Sequence, residues 1–268
     1  MARIGIFDSG VGGLTVVNAV MQRLPEQSIV YLGDTARVPY GSKSAQTVRR
    51  YADNAARFLL DRGVDLLLFA CNTASAYAIE ALERTCPVPV LGAVEPGARA
   101  AVRATRTGSI GVIGTLGTIR SGAYVRAIHA KDASLRVALH ACPLLVPLVE
   151  EGWLEGEVPL LVARRYLDAL HAQAPELDVL VLGCTHYPLL RPLLLEVARE
   201  RWGRDVMLVD SAAAMAEETE VLLERLGPEK RTTLPATFTC AVTDDARIDE
   251  IGARFLGRSL GPIERVDL

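Results

Sequence analysis

Short apolar runs rich in Val, Ile and Leu alternate along this chain with longer stretches whose apolar residues recur at helical spacing. The short runs predict buried strands at residues 4–7, 28–32, 65–69, 88–91, 109–113, 135–139, 178–182 and 206–209. Helices are predicted between them, most clearly at residues 45–61 and 158–172, and Gly63 is a suitable stop for the first. Strands that alternate with helices form parallel sheets covered on both faces, so the pattern predicts an α/β fold.

Two strand-and-loop segments occur once in each half of the chain, in the same order. The sequence IGIFDSG at 4–10 is similar to IGVIGT at 110–115, and LLFACNT at 67–73 is similar to LVLGCTH at 180–186. The first similarity is common among α/β proteins, but the second places a Cys at the end of each strand and a Thr just beyond it. The repeat predicts two similar lobes related by a pseudo-twofold axis, with a ligand crevice between them at the carboxyl ends of the strands.

The repeat also suggests a domain division. We expect one lobe from residue 1 to about 95 and a second from about 96 to 208. The remaining residues, 209–268, contain a helix-like stretch at 212–226 and are expected to return to the first lobe. No linker rich in Pro, Gly or Ser separates the lobes, which predicts a tight interface between them.

Charge and hydropathy exclude several classes of partner. The formal net charge is only −3 and 23% of the 268 residues are charged, so neither nucleic acid nor an anionic membrane is an expected partner. No apolar run reaches the roughly 18 residues that a membrane span needs. The chain reaches Asp8 too early for the apolar core of a signal peptide. We therefore expect a soluble cytoplasmic protein.

The five cysteines are an odd number at wide spacing, so free thiols are expected rather than a disulfide framework. Cys86, Cys142 and Cys240 are interpreted as structural, because free Cys is among the most buried residue types. Cys71 and Cys184 differ, since each follows a predicted strand and precedes a polar loop. A thiol has a reference pKa of about 8.5, so modest perturbation makes one a thiolate base and leaves the other an acid. One base and one acid on opposite faces of an α-carbon are what amino-acid racemisation requires.

Four other residues are candidates for managing protons at this site. Asp8 ends the first predicted strand, and His186 lies two residues after Cys184 in the same predicted loop. Both are expected to act in catalysis. Asp34 and Glu150 are weaker candidates, because from the sequence each is also compatible with a helix cap or a solvated carboxylate.

The glycine-rich stretch at residues 8–13 follows the first predicted strand. It has neither the spacing G-x-G-x-x-G nor the lysine of a phosphate-binding loop. Backbone N–H groups at the start of the following helix are still suited to a carboxylate. Hydroxyl groups suited to an amino-acid zwitterion are carried by Ser9, Thr73, Thr115, Thr118 and Thr185.

Other interpretations of the cysteines remain open. A zinc site formed by Cys71, Cys184 and His186 is one, although the chain has no Cys-x-x-Cys pair. A pyridoxal phosphate enzyme needs a Schiff-base lysine, and none of the three lysines follows a strand in a suitable loop. A hydrolase with Cys184 as nucleophile and His186 as base leaves Cys71 without a role, and an amino-acid sensor needs the hydroxyl groups but not two thiols. We expect no metal and no cofactor.

Five sequence blocks give the chain a close resemblance to the glutamate racemases of bacterial cell-wall synthesis. They are IFDSGVGGL at 6–14, GDTARVPYG at 33–41, ACNTAS at 70–75, VPLVEEG at 146–152 and GCTHYP at 183–188. The resemblance implies a cofactor-free homodimeric enzyme of two lobes that interconverts L- and D-glutamate and supplies D-glutamate for peptidoglycan. By position, Cys71 and Cys184 match the catalytic thiols of the family, with Cys71 serving the D-isomer and Cys184 the L-isomer.

The resemblance also assigns the residues around the thiols. Asp8 matches the carboxylate beside the first thiol and His186 the imidazole beside the second, while Asp34 and Glu150 match acidic residues of the site. Register within the block VPLVE selects Glu150 rather than Glu151. Substrate-binding positions are matched by Asp8, Ser9, Tyr40, Gly41, Asn72, Thr73, Thr115, Thr118, Thr185 and His186. Aspartate racemases share the fold and thiols, so the blocks PYG and CTHYP are what favour glutamate.

Overall fold

The computed structural model describes residues 2–226 and 235–268. Its strands are β1 (Arg3–Asp8), β2 (Ser28–Gly33), β3 (Leu66–Phe69), β4 (Val90–Gly92), β5 (Ser109–Gly114), β6 (Arg136–Ala141), β7 (Val179–Gly183), β8 (Met207–Asp210), β9 (Phe238–Val242) and β10 (Ile263–Arg265). Its α-helices are α1 (Leu14–Arg23), α2 (Ala45–Asp61), α3 (Asn72–Thr85), α4 (Val94–Ala104), α5 (Leu116–Ser121), α6 (Ala123–His129), α7 (Leu145–Glu150), α8 (Glu157–Gln173), α9 (Arg191–Trp202), α10 (Ser211–Leu226) and α11 (Ile248–Leu256). Lys230, one of the three lysines, lies outside the described residues.

Two parallel sheets form the core of the fold. The first has the strand order β10-β9-β2-β1-β3-β4 and the second β6-β5-β7-β8. The order β2-β1-β3-β4 in the first sheet is repeated as β6-β5-β7-β8 in the second, and every pairing is parallel. The predicted α/β fold with two similar halves is therefore confirmed, and each of the eight predicted strands coincides with one of β1–β8.

The central strands are apolar on both faces because helices cover both faces of each sheet. In β1, Ile4 and Ile6 belong to one core cluster while Phe7 packs in another, on the opposite face. In β5, Val112 and Ile113 divide in the same way between two clusters. Fully burying one such side chain contributes about 1.5–3 kcal/mol. This two-sided burial explains why the strands appear in the sequence as continuous apolar runs.

The C-terminal segment adds two strands to the first sheet, which the sequence did not predict. β9 pairs with β2 and β10 pairs with β9, and α10 and α11 both contact α1. β10 is an edge strand of three residues in which Glu264 and Arg265 are exposed, so it carries no apolar run. The predicted helix at 212–226 is α10. The division of the chain at residues 95 and 208 stays a prediction.

None of the helices in the described part of the chain has the length and apolarity needed to cross a membrane.

Candidate active site

A cavity of about 450 Å³ opens at the carboxyl ends of strands from both sheets. This volume lies within the usual range for small-molecule sites. Eleven of the fourteen residues predicted for the site line it: Ser9, Tyr40, Gly41, Cys71, Asn72, Thr73, Thr115, Glu150, Cys184, Thr185 and His186. The side chains come from both halves of the chain, because the equivalent strands of the two sheets end at the same crevice.

Cys71 is held at the N-terminus of α3. Its Sγ accepts a hydrogen bond from the Ala74 N–H at 3.4 Å, so the thiol caps the helix. Burial raises the pKa of Cys71 to about 12, and the negative charge of Asp8 adds to the effect. A hydrogen bond with Ser9 and the one from Ala74 act in the opposite direction but do not outweigh burial. Cys71 is consequently a neutral thiol at pH 7.

Cys184 follows β7 directly and lies beside an imidazole. Its Sγ is 3.9 Å from Nδ1 of His186, and Nε2 of His186 is 3.0 Å from Oε1 of Glu150. Burial lowers the pKa of His186, but the hydrogen bonds and negative charges of Cys184 and Glu150 outweigh it and raise that pKa to about 10. His186 is therefore an imidazolium at neutral pH, with both ring nitrogens as donors. The neighbouring Glu151 is instead paired with Arg247 at the surface.

Asp8 is buried next to the cavity without lining it. Its Oδ2 accepts the Gly10 N–H at 3.0 Å, and the Thr185 hydroxyl approaches its Oδ1 at 3.5 Å. Burial raises the pKa of Asp8, although the positive charge of His186 and hydrogen bonds to the carboxylate oppose the shift. Asp8 thus interacts electrostatically with a residue of each half, Cys71 in the first and His186 in the second.

Asp34, expected to be catalytic, does not line the cavity. Its carboxylate is fully buried and accepts both hydrogen bonds from Nε of Arg37, at 2.8 and 2.9 Å, and one from the Thr243 hydroxyl at 3.0 Å. The Tyr40 hydroxyl also donates to it, and Tyr40 does line the cavity. The structure therefore places Asp34 behind the cavity lining, where its carboxylate holds the Tyr40 hydroxyl.

Thr118 also lies behind the lining. The hydroxyls of Thr73, Thr115 and Thr118 are joined in a triangle with oxygen distances of 2.8, 3.0 and 3.2 Å. Thr73, in α3, and Thr115, which caps α5, come from different halves and line the cavity, whereas Thr118, in α5, lies behind them. This triangle ties the two halves together at the site.

The structure also shows residues that were not predicted for the site. Six of them are apolar, namely Val38, Pro39, Leu116, Pro143, Val146 and Pro147, and Gly10 and Ser42 complete the lining. Asn72 is fixed by two other unpredicted residues, since Tyr124 donates to its Oδ1 at 2.7 Å and its Nδ2 is 3.5 Å from the Ser211 hydroxyl. Val38, Pro39, Val146 and Pro147 fall inside the sequence blocks that carry the resemblance, but no sequence signal marks Tyr124 or Ser211.

The remaining cysteines do not line this cavity. Cys142 and Cys240 are buried and Cys86 is partly buried, each as a free thiol. Among the residues that the structure describes, no three His, Cys, Asp or Glu side chains are grouped so as to hold a metal ion. This geometry argues against a zinc site formed by Cys71, Cys184 and His186.

The fold and the cavity define a class of protein: an α/β enzyme of two topologically equivalent halves, with one thiol from each half in a shared polar cavity. The sequence model of the Asp/Glu/Hydantoin racemase family matches residues 14–219. The chain belongs to this family and is a racemase, an isomerase.

Relatives within the family support the resemblance found in the sequence. A glutamate racemase from Syntrophus aciditrophicus is 53% identical over 266 residues, which cover 99% of this chain and 96% of the relative. The structure of glutamate racemase RacE1 from Bacillus anthracis aligns with a TM-score of 0.92 at 37% identity, covering 100% of this chain and 98% of the other. The Francisella tularensis glutamate racemase, solved in complex with D-glutamate, aligns with a TM-score of 0.91 at 34% identity over 99% and 97% of the two chains.

Proposed function

We propose that this racemase interconverts L- and D-glutamate without a cofactor, by passing the α-proton between Cys71 and Cys184. The observation that carries the proposal is that two thiols, each at the end of an equivalent strand, line the same cavity. The glutamate racemases to which the chain is similar over nearly its whole length favour glutamate as the substrate.

The reaction transfers one proton in and one proton out. With L-glutamate bound, the Cys184 thiolate removes the α-proton and the C–H electron pair is left on the α-carbon, delocalised into the carboxylate. The Cys71 thiol then donates its proton to the opposite face, which gives D-glutamate, a Cys71 thiolate and a Cys184 thiol. The reverse direction exchanges the two roles.

The surroundings of the thiols suit these starting states. The His186 imidazolium offers a positive charge 3.9 Å from Cys184, which favours negative charge on that sulfur. Cys71 is neutral at pH 7 because its pKa is raised, so it is ready to act as the acid. When Cys71 becomes the thiolate, protonation of Asp8 would remove the repulsion between them, and the raised pKa of Asp8 makes that protonation easier.

Polar groups of the lining are assigned to substrate binding. We assign the ammonium and carboxylate groups of glutamate to the hydroxyls of Ser9, Thr73, Thr115 and Thr185 and to the Asn72 side chain, with Tyr40 and Gly41 closing the same side. The fixed orientation of Asn72, held by Tyr124, leaves one amide hydrogen for the substrate.

The biological setting is part of the same proposal. We expect the D-glutamate to be used in peptidoglycan synthesis in the cytoplasm, and the enzyme to act as a homodimer. Size-exclusion chromatography with light scattering should give a molar mass of twice the 28.9 kDa of one chain. A mass equal to one chain at assay concentration would contradict the homodimer.

The test is incubation of the metal-free protein with L-glutamate in D₂O, followed by polarimetry and by NMR of the α-position. We expect loss of optical rotation together with incorporation of deuterium at Cα. Exchange with aspartate but not with glutamate would change the substrate. No exchange with either amino acid would contradict the racemase mechanism and favour a hydrolase or a sensor.

A further inference from the structure

The C-terminal helix α11 reaches the Cys184 side of the cavity from outside both repeated halves. Two consecutive residues near its end, Arg254 and Phe255, contact the hydrogen-bonded pair formed by Glu150 and His186. Arg254 contacts the backbone at Glu150, and Phe255 contacts the ring of His186. Neither residue lines the cavity.

Arg254 closes the C-terminal end of α7. Its Nη1 donates to the carbonyl oxygens of Val149 at 2.9 Å and of Glu150 at 3.0 Å, at the end of the helix where carbonyls lack intrahelical donors. The Val149 oxygen also accepts the Gly152 N–H at 3.0 Å, so Arg254 joins the hydrogen bonds of this turn. Gly152, at φ +76°, lies against the same guanidinium, and a Cβ there would come within 2.9 Å of Nη2. The guanidinium is therefore seated against the chain turn that ends α7.

The ring of Phe255 packs against the imidazole ring of His186. The ring centroids are 5.0 Å apart with planes at 76°, and Phe255 is 2% exposed. This edge-to-face contact restricts the rotation of the imidazole. With Glu150 on Nε2 and Cys184 near Nδ1, the ring is thus held on three sides.

The Glu150 side chain depends on such a backbone anchor. It is 38% exposed, so water competes with His186 for its carboxylate. The pKa of His186 is raised by Glu150 and Cys184, and His186 also interacts with the charge of Asp8. Displacement of Glu150 would therefore remove one of the interactions that keep His186 protonated.

We propose that Arg254 and Phe255 are positioning residues of the racemase: they hold Glu150 and His186 in register, and through that pair they set the charge beside Cys184. The inference rests on the proposed function for its kinetic consequence but not for its geometry. The C-terminal helix thus becomes a part of the proton-transfer machinery without touching the substrate.

The test compares Arg254→Met, which keeps the apolar stem but removes the donors, with Arg258→Met as the matched control. Arg258 follows α11 and is exposed. Its hydrogen-bond partner is Met21, which is not part of α7. For Arg254→Met we expect Glu150 to move away from His186. Loss of this negative charge should lower the pKa of His186 by more than loss of the Arg254 charge raises it, so the alkaline limb of the pH profile of kcat/KM should move down by about one pH unit. Arg258→Met should leave that limb in place, and Arg254→Lys should restore part of the shift.

A second readout does not depend on activity. In protein labelled with ¹⁵N-histidine, only four histidines contribute, and His186 should titrate at lower pH in Arg254→Met than in the unchanged protein. Phe255→Leu, which keeps an apolar side chain at the site, should shift the same titration and serves if Arg254→Met does not fold. An unshifted His186 titration in both folded variants would overturn the inference. Absence of α-proton exchange in the unchanged enzyme would instead overturn the proposed function, whatever the titration shows.

Discussion

Two cysteines with the same intrinsic chemistry occupy different electrostatic surroundings in this protein. Cys71 has a buried carboxylate, Asp8, and a helix N-terminus as neighbours, whereas Cys184 has an imidazolium. In the proposed mechanism, this difference makes the Cys71 thiol the acid and the Cys184 sulfur the base when L-glutamate is bound. The use of two thiols lets the roles exchange in the reverse direction.

Replacement of either thiol tests this division. Cys71→Ser and Cys184→Ser should each lower kcat by more than about 10²-fold, because a serine hydroxyl is far less acidic than a thiol and general acid–base catalysis is worth this much. Steady-state polarimetry with both enantiomers measures the loss. Cys86→Ser, a change at a thiol outside the cavity, is the control and should be nearly silent. Small and equal losses for Cys71→Ser and Cys184→Ser would contradict the two-thiol mechanism.

His186→Asn should affect the two directions unequally. The enantiomers have equal free energy in water, so kcat/KM must stay equal in both directions and only its division into kcat and KM can differ. We expect kcat to fall more with L-glutamate than with D-glutamate, since His186 supports the sulfur that deprotonates the L-isomer, and KM for L-glutamate to fall with it. Initial rates over a range of concentrations of each enantiomer give both constants. Equal losses of kcat would assign His186 a binding role.

At the scale of elements, the site is built from strand ends and completed by loops and helices that follow them. β1 ends at Asp8 and β3 ends shortly before Cys71. In the second half, β5 ends just before Thr115 and β7 ends just before Cys184. The 3-10 turns at Thr35–Arg37 and Tyr40–Ser42 bring Tyr40 over this edge. The carboxylate of Asp34 accepts a hydrogen bond from Thr243, just beyond β9, and so joins these turns to the C-terminal segment. That segment therefore supports the site through Thr243 as well as through α11.

Asp34→Asn tests the role of that junction. The change leaves the Arg37 side chain, 21% exposed, without its counter-charge, so the free energy of unfolding should fall by roughly 3 kcal/mol. Because Asp34 acts through Tyr40, we expect KM for glutamate to rise more than kcat falls. Denaturant unfolding and steady-state kinetics provide the two measurements, with the exposed Asp205→Asn as control. A large loss of kcat at constant KM would instead place Asp34 in the chemistry.

Over the whole molecule, the two halves meet closely enough that single atoms matter. A Cβ on Gly12 would overlap the side chains of Thr185 and His186, and one on Gly41 would lie 2.7 Å from Cβ of Thr115. The Thr15 hydroxyl also bonds to the Thr185 carbonyl at 3.2 Å. These contacts join the two halves of the chain next to His186 and Thr185.

The charge of His186 predicts how stability depends on pH. The pKa of His186 is about 10 in the fold and about 6.5 in an unfolded chain, so its protonation stabilises the fold fully below about pH 6.5, and this contribution is lost as pH rises to about 10. The difference in unfolding free energy between the protein and His186→Asn should therefore shrink across that interval. Urea unfolding at a series of pH values measures it; a difference that grows with pH would contradict the sign.

Much of this protein follows from local sequence. Buried strands appear as short continuous apolar runs and helices as apolar residues at every third or fourth position, so the alternation of strands and helices and the repeat of the two halves were visible without coordinates. The sequence also indicated that Cys71 and Cys184 share one cavity, because parallel strands bring their carboxyl ends to one edge and both residues follow such ends.

Only the tertiary structure decided the rest. β10 carries no apolar run, the local sequence does not show that Asp34 lies behind the cavity lining, and Arg254 contacts Glu150, which is 104 residues away in the sequence. Such contacts depend on how whole elements pack, and an Arg or an Asp has the same local sequence signature on a surface as against a helix end. The sequence determined the two-sheet scaffold through the pattern of its apolar residues, and it placed Cys71 and Cys184 at the ends of strands. Packing between distant segments determined which charged groups lie beside the two thiols.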